Sequence, residues 1–189
     1  SYPCGREDYN DVGVPNGNPD NGARVAVETS EVHSGSKALR FDYENDGYAE
    51  NFPAGSRSID YRYSQISADV ADLMAGADWT VNEAAFLEMW IKGSLDNSSQ
   101  PVYITLSDGV NRAPVTCCGS IAAATKYDEW TAWRIPLFVF TDANPDIDMR
   151  NLETLYITIG DKEIPKTAND GDGGGAGTIY IDGRLQREF

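Results

Sequence analysis

Segment after segment of this chain alternates apolar and polar residues with a period of two. That pattern belongs to strands buried on one face. In Ala38-Leu39-Arg40-Phe41-Asp42-Tyr43-Glu44, Leu39, Phe41 and Tyr43 share one face, while Arg40, Asp42 and Glu44 share the other. In Phe86-Leu87-Glu88-Met89-Trp90-Ile91-Lys92, Leu87, Met89 and Ile91 oppose Phe86, Glu88, Trp90 and Lys92. Val102, Ile104 and Leu106 oppose Tyr103, Thr105 and Ser107. Residues 24–29, 130–138, 155–159 and 178–185 complete a set of short strands, with clusters of Asn, Asp, Gly and Pro between them. A parallel α/β sheet needs a helix after each strand, and no such helices are written here. The pattern predicts an all-β, antiparallel two-sheet sandwich. Its core is expected to hold Leu39, Phe41, Leu87, Met89, Ile91, Ile104, Leu106, Trp133, Ile135, Ile157, Ile159, Ile179 and Ile181.

One stretch reads differently. In residues 64–76, Ile66, Val70, Leu73 and Met74 fall near helical spacing and Gly76 follows, which predicts one short helix. At 189 residues the chain is expected to form a single domain, residues 1–189, with residues 1–24 a turn-rich N-terminal segment. Residues 169–177 are a short acidic, Gly-rich tract, expected as a loop before the last strand.

Charge narrows the partners. Thirty acidic residues against 15 basic ones give a formal charge of −15. Such a surface repels phosphate backbones and anionic lipid heads, so nucleic acid is not an expected partner. No stretch approaches the roughly 18 apolar residues of a membrane span. His33 is the single histidine, which argues against multi-His zinc sites and against His-based catalysis. It sits in Val32-His33-Ser34-Gly35-Ser36 and reads as a turn residue. The acids form no pair in a defined catalytic frame, and the Gly-rich tract lacks the Lys and Ser/Thr of a phosphate loop. Cys4, Cys117 and Cys118 leave three options: a bridge from Cys4 to one of the others, a vicinal bridge, or no bridge. The loop-rich, acidic, Tyr-rich composition favours secretion.

Aromatic residues are the remaining resource, with 10 Tyr and 4 Trp. Trp90, Tyr103 and Tyr156 fall on the polar faces of their strands, whereas Trp133 falls on an apolar face and is expected in the core. Aromatic faces stack on the C–H faces of sugar rings, and polar side chains bond the hydroxyls. Should the strands at 86–92 and 102–107 pair as a hairpin, Glu88, Trp90 and Lys92 would lie beside Tyr103 and Thr105. The expected carbohydrate-binding residues are therefore Trp90, Tyr103, Glu88, Lys92 and Tyr156. Calcium is the reasonable cation for so acidic a chain, because it takes hard oxygen ligands. Asp170-Gly171-Asp172-Gly173 supplies carboxylates on a turning backbone without the spacing of an EF-hand.

Several segments in order resemble a known family. Val32-His33-Ser34-Gly35-Ser36-Lys37-Ala38-Leu39-Arg40-Phe41-Asp42-Tyr43 is similar to a segment of carbohydrate-binding-module-like (galactose-binding-domain-like) β-jelly rolls. Asp78-Trp79-Thr80, residues 87–93, residues 130–137, residues 155–161 and Gly177-Thr178-Ile179-Tyr180-Ile181-Asp182 match further stations. Such domains occur in large secreted bacterial proteins, often beside polysaccharide-active enzymes. The resemblance implies a structural Ca2+ with Glu7 and Asp182 as side-chain ligands and carbonyls near Gly35 and Lys37. The ending Ile181-Asp182-Gly183-Arg184-Leu185 departs from the family's pattern, which has a second Asp.

The expected function is a secreted, non-catalytic carbohydrate-binding module stabilised by structural calcium. Its expected partners are a polysaccharide and an appended enzyme domain or further copies of itself. The alternative reading is a calcium-stabilised structural subunit of an extracellular filament, surface layer or matrix.

Overall fold

The computed structural model describes residues 24–45, 63–73, 76–81, 84–116, 124–160 and 175–187, the last four of these by backbone alone. The three cysteines, Glu7, the N-terminal segment before Arg24 and the acidic tract up to Gly174 lie outside the described residues.

Nine strands form two antiparallel sheets among the described residues. They are β1 (Arg24–Glu28), β2 (Ala38–Glu44), β3 (Tyr63–Asp69), β4 (Ala84–Lys92), β5 (Val102–Ser107), β6 (Arg112–Thr116), β7 (Thr131–Pro136), β8 (Thr154–Gly160) and β9 (Ala176–Arg187). One sheet has the order β1-β2-β9-β4-β7 and the other β3-β8-β5-β6. Both inner faces meet in one core. Phe41, Ile104, Leu106, Ile159 and Ile179 are fully buried, and Met89, Ile91, Trp133, Ile135, Ile157 and Ile181 nearly so. Each such side chain stabilises the fold by about 1.5–3 kcal/mol. Of the expected core residues, Leu39 alone is only partly buried, packed at the core's margin.

The structure corrects the helix expected over 64–76. Residues 63–69 are β3, paired along its length with β8, and a single 3-10 turn, Val70–Asp72, follows. Ile66 and Val70, four residues apart, fit a period of two as well as a helical spacing, and pairing with the largely buried β8 decides for the strand. Asp69 ends β3 by accepting a hydrogen bond from the Ala71 amide at 2.9 Å. The described α-helix, α1 (Phe138–Ala143), follows Pro136 where strand was expected to continue to residue 138. Arg112–Thr116 was not expected as a strand. Pro114 cannot donate to a ladder, and β6 tolerates it because it is an edge.

The expected β4–β5 hairpin is absent. β4 pairs with β7 and β9, while β5 pairs with β6 and β8 in the other sheet. The connection between them crosses from sheet to sheet and is pinned by Asn97. Its side-chain amide donates to the Thr125 and Thr178 carbonyls, both at 2.7 Å, and its Oδ1 accepts from the Thr178 amide at 3.1 Å. Tyr43 adds a bond from its hydroxyl to the Ser98 carbonyl at 2.6 Å, and burial pushes that phenol up to about 12. A Cβ on Gly177 would stand 2.5 Å from Asn97 Oδ1, so only glycine lets β9 approach this loop.

Candidate functional site

The period of two sends all five expected binding residues away from the core, but onto opposite sides of the molecule. Glu88, Trp90 and Lys92 stand on the outer face of the five-stranded sheet. Tyr103 and Tyr156 stand on the outer face of the four-stranded sheet, on the neighbouring strands β5 and β8. Tyr103 is therefore not beside Trp90. A residue's own strand determines whether it points outward, whereas long-range pairing determines which sheet it joins.

On the five-stranded sheet, the outward side chains already have partners. The β1–β2 connection begins with Glu28, whose Oε1 accepts from the Thr29 and Ser30 amides and the Ser30 hydroxyl, each at 2.7 Å. Those donors, Ser30 foremost, hold the Glu28 carboxyl down at about 2. Gly35, at φ 69°, lets the chain turn back. Between these points the loop lies across the sheet as a strap. Lys92 Nζ pairs with Glu31 Oε2 at 2.5 Å. The His33 ring stacks on the Trp90 indole at 3.8 Å and meets Trp130 edge-on at 5.7 Å. Ser34 donates to Asp182 Oδ2 through its amide at 2.9 Å and its hydroxyl at 2.8 Å. Beside the strap, Glu88 is buried and accepts from Arg134 Nε at 2.9 Å, with Trp90 Nε1 3.4 Å from its other oxygen. Sequence reasoning took His33 for a plain turn residue, and its stacking role depends on contacts between distant strands.

The other face is chemically different. Cross-strand register sets its outward residues in rows: Gln65, Thr158, Tyr103 and Thr116; then Ser67, Tyr156, Thr105 and Pro114; then Asp69, Thr154, Ser107 and Arg112. Tyr63 stands beside Gly160 at one end. Among these described positions the formal charges are Asp69 and Arg112, both in the end row. In a chain of charge −15 this is an unusually neutral surface of hydroxyls, phenols and an amide. Tyr103 and Tyr156 are diagonal neighbours, about 7–8 Å apart at their backbones. Gln65, Tyr156 and Thr158 point outward yet are only 7, 8 and 3% exposed, so other groups of the chain cover them. Gln65 Nε2 donates to Thr158 Oγ1 at 2.6 Å. Arg112 reaches over β5, places its guanidinium 4.7 Å from the Tyr156 ring centre and donates from Nη2 to the Tyr156 hydroxyl at 3.2 Å. Neither Gln65 nor Arg112 was among the expected binding residues. The Tyr63–Asp69 alternation carries the signal for Gln65, against the helix expected over 64–76.

The expected calcium ligands meet in part. Asp182 is buried and touches the turn at Ser34, as the resemblance implied, but the contact is a pair of hydrogen bonds to one carboxylate oxygen. Gly35 and Lys37 follow in the same exposed turn. Among the described residues no group of three or more His, Cys, Asp or Glu side chains is arranged to hold a metal ion.

Residues 8–182 match the family profile of carbohydrate binding domain 30. Among solved structures, the fold is similar to the family 30 carbohydrate-binding module of the cellulosomal cellulase Cel9D-Cel44B of Clostridium thermocellum, at 16% identity and a TM-score of 0.53. That match covers 87% of this chain and 82% of the other. An exo-β-agarase matches at 14% identity and a TM-score of 0.57, over 88% of this chain but 22% of the agarase. The family 11 module of the cellulosomal cellulase Lic26A-Cel5E of Clostridium thermocellum matches at 13% identity and a TM-score of 0.50, covering 88% of this chain and 84% of that one. At these identities the likeness shows the β-sandwich fold. No curated protein matches the sequence.

Proposed function

The chain belongs to the carbohydrate binding domain 30 family, and on that premise we propose that it binds an uncharged polysaccharide on the outer face of the four-stranded sheet. It is a non-catalytic carbohydrate-binding domain. The observation that carries the choice of face is the scarcity of charge among its described residues. Tyr103 offers a ring and Thr105 a hydroxyl, which suit sugar C–H faces and hydroxyls. A polyanionic glycan would meet the repulsion of a strongly acidic chain. Two of the similar solved modules come from cellulases by name, which favours a β-glucan over other neutral polymers. Glu88, Trp90 and Lys92 take a supporting role in this reading, holding the strap to the opposite sheet.

Secretion and attachment to an enzyme domain belong to the same proposal. Among the described residues no helix is long and apolar enough to cross a membrane. The agarase, of which the match covers 22%, is an example of a similar domain within a larger enzyme chain. Structural calcium is a further part of the proposal. It requires Glu7, outside the described residues, to join Asp182 and the carbonyls of Gly35 and Lys37. A divalent ion there would offset the charge of carboxylates drawn together by folding. Excess chelator should then lower the melting temperature, because a ligand bound only by the native state stabilises it. An unchanged melt would remove calcium from the account.

Affinity electrophoresis through gels containing hydroxyethyl cellulose tests the binding face. The wild-type domain should be retarded and Tyr103→Ala should migrate freely. Retardation of Tyr103→Ala equal to wild type would contradict the assignment.

A further inference from the structure

Arg112 breaks two regularities of the molecule. It is the one cation among the described outward residues of an otherwise nearly neutral face. It also lacks a carboxylate partner of the kind that Arg40 has in Asp42, Lys92 in Glu31 and Arg134 in Glu88: no ion pair to Arg112 occurs among the described residues. Its guanidinium is held instead by a neutral group, over the Tyr156 ring and on the Tyr156 hydroxyl.

That anchorage has a geometric consequence. Arg112 lies on the edge strand β6 and Tyr156 on β8, with β5 between them. The Arg112 side chain therefore crosses the sheet surface above β5 to the row of Thr105 and Tyr156, which adjoins the row of Tyr103. A guanidinium lying on a ring occupies that ring face. Tyr156, being buried as well, is then poorly placed to stack on a sugar. A guanidinium has five N–H donors in a rigid plane, and the Tyr156 hydroxyl engages one of its nitrogens. The remaining donors lie at the surface of an exposed residue.

We propose that Arg112 is a specificity-determining residue of the binding face. It donates to hydroxyl oxygens of the sugar that stacks on Tyr103, and Tyr156 is the positioning residue that holds the guanidinium in place. This inference rests on the four-stranded face being the binding face. It divides the labour there: Tyr103 supplies the platform, Arg112 the donors, Tyr156 the anchor. A free, mobile Arg would lose side-chain entropy on meeting a ligand, and the ring contact reduces that loss in advance.

The test is titration calorimetry of the whole chain with hydroxyethyl cellulose, on wild type, Tyr103→Ala, Arg112→Ala, Arg112→Lys, Tyr156→Ala and the Arg112→Ala/Tyr156→Ala double variant. Arg112→Ala should bind roughly 10-fold more weakly, the scale of a charge-assisted hydrogen bond, with a melting temperature within about 2 °C of wild type because the residue is exposed. The double variant should be no weaker than the weaker single variant, since anchor and donor act as a unit. Arg112→Lys should fail to restore binding, because an ammonium lacks the planar fork. Arg112→Ala with wild-type affinity, in a domain where Tyr103→Ala has lost binding, would overturn the role of Arg112 and leave the face standing. Tyr103→Ala with wild-type affinity would overturn the face itself. Losses that multiply in the double variant would overturn the anchoring role of Tyr156.

Discussion

The two outer faces of this sandwich are built by the same rule and are chemically opposite. On both, alternate residues of each strand point away from the core. On the five-stranded sheet those residues close on one another: Lys92 with Glu31, Arg134 with Glu88, Arg40 with Asp42 at 2.9 Å, and Trp90 with His33. On the four-stranded sheet, the described residues are mostly uncharged and offer hydroxyls, phenols and an amide. A side chain that already has an ion pair and a stacked ring gives up those contacts to take a ligand. The described residues of the four-stranded face hold no ion pair to give up. An outward-pointing aromatic residue is thus an incomplete signal for binding, and its partners decide.

Substitutions on each side can break this contrast. The largest expected effect is on binding. Tyr103→Ala should lower affinity for hydroxyethyl cellulose by about 30-fold or more, the scale of an aromatic hot spot, with little change in the melt. Trp90→Ala should do the reverse. A fully buried Trp truncated to Ala costs about 3–5 kcal/mol. For a partly buried indole stacked on His33 we expect about 2 kcal/mol by denaturant titration, with binding retained by the folded fraction. A Trp90→Ala domain that melts normally and loses binding would reverse the roles of the two faces.

Smaller effects sharpen the picture. Arg134→Ala removes one ion pair of the buried Glu88, but Arg134 is 59% exposed and water replaces it in part. The expected cost is about 1 kcal/mol, read from the urea midpoint. The smallest effect is an acid limb. Asp108 accepts the amides of Val110, Asn111 and Asp148 and the Asn111 side chain, at 2.6–3.1 Å. These donors, the Asn111 amide first, hold its carboxyl far below the ordinary range. Its folded value being the lower one, the stability it contributes is fully present above the ordinary carboxylate pKa of about 4 and fades as pH falls below that. Asp108→Asn should therefore flatten the fall in melting temperature between about pH 4 and pH 2. A slope identical to wild type would remove Asp108 from the acid response.

Much of this was legible in the sequence. Strict alternation around Phe41, Met89, Ile104 and Ile179 announced the sandwich and nearly all of its expected core. It could not announce that β4 and β5 part company, since Asn97, which pins the crossover, bonds Thr125 and Thr178 far along the chain. Trp90 and Tyr103 accordingly looked adjacent and are not. Ile66 and Val70 satisfied two periodicities at once, and only the pairing with β8 separated them. Arg112 was invisible because a Pro two residues later disguised its strand, and His33 because its value lies in a ring it meets through space.

The central claim is that ligand meets the four-stranded face. Titrating cellohexaose into the 15N-labelled domain and following amide chemical shifts tests it most directly. The account predicts perturbations concentrated in residues 63–69, 102–107, 112–116 and 154–160. Perturbations concentrated instead in residues 31–34, 86–92, 131–136 and 178–182 would contradict it.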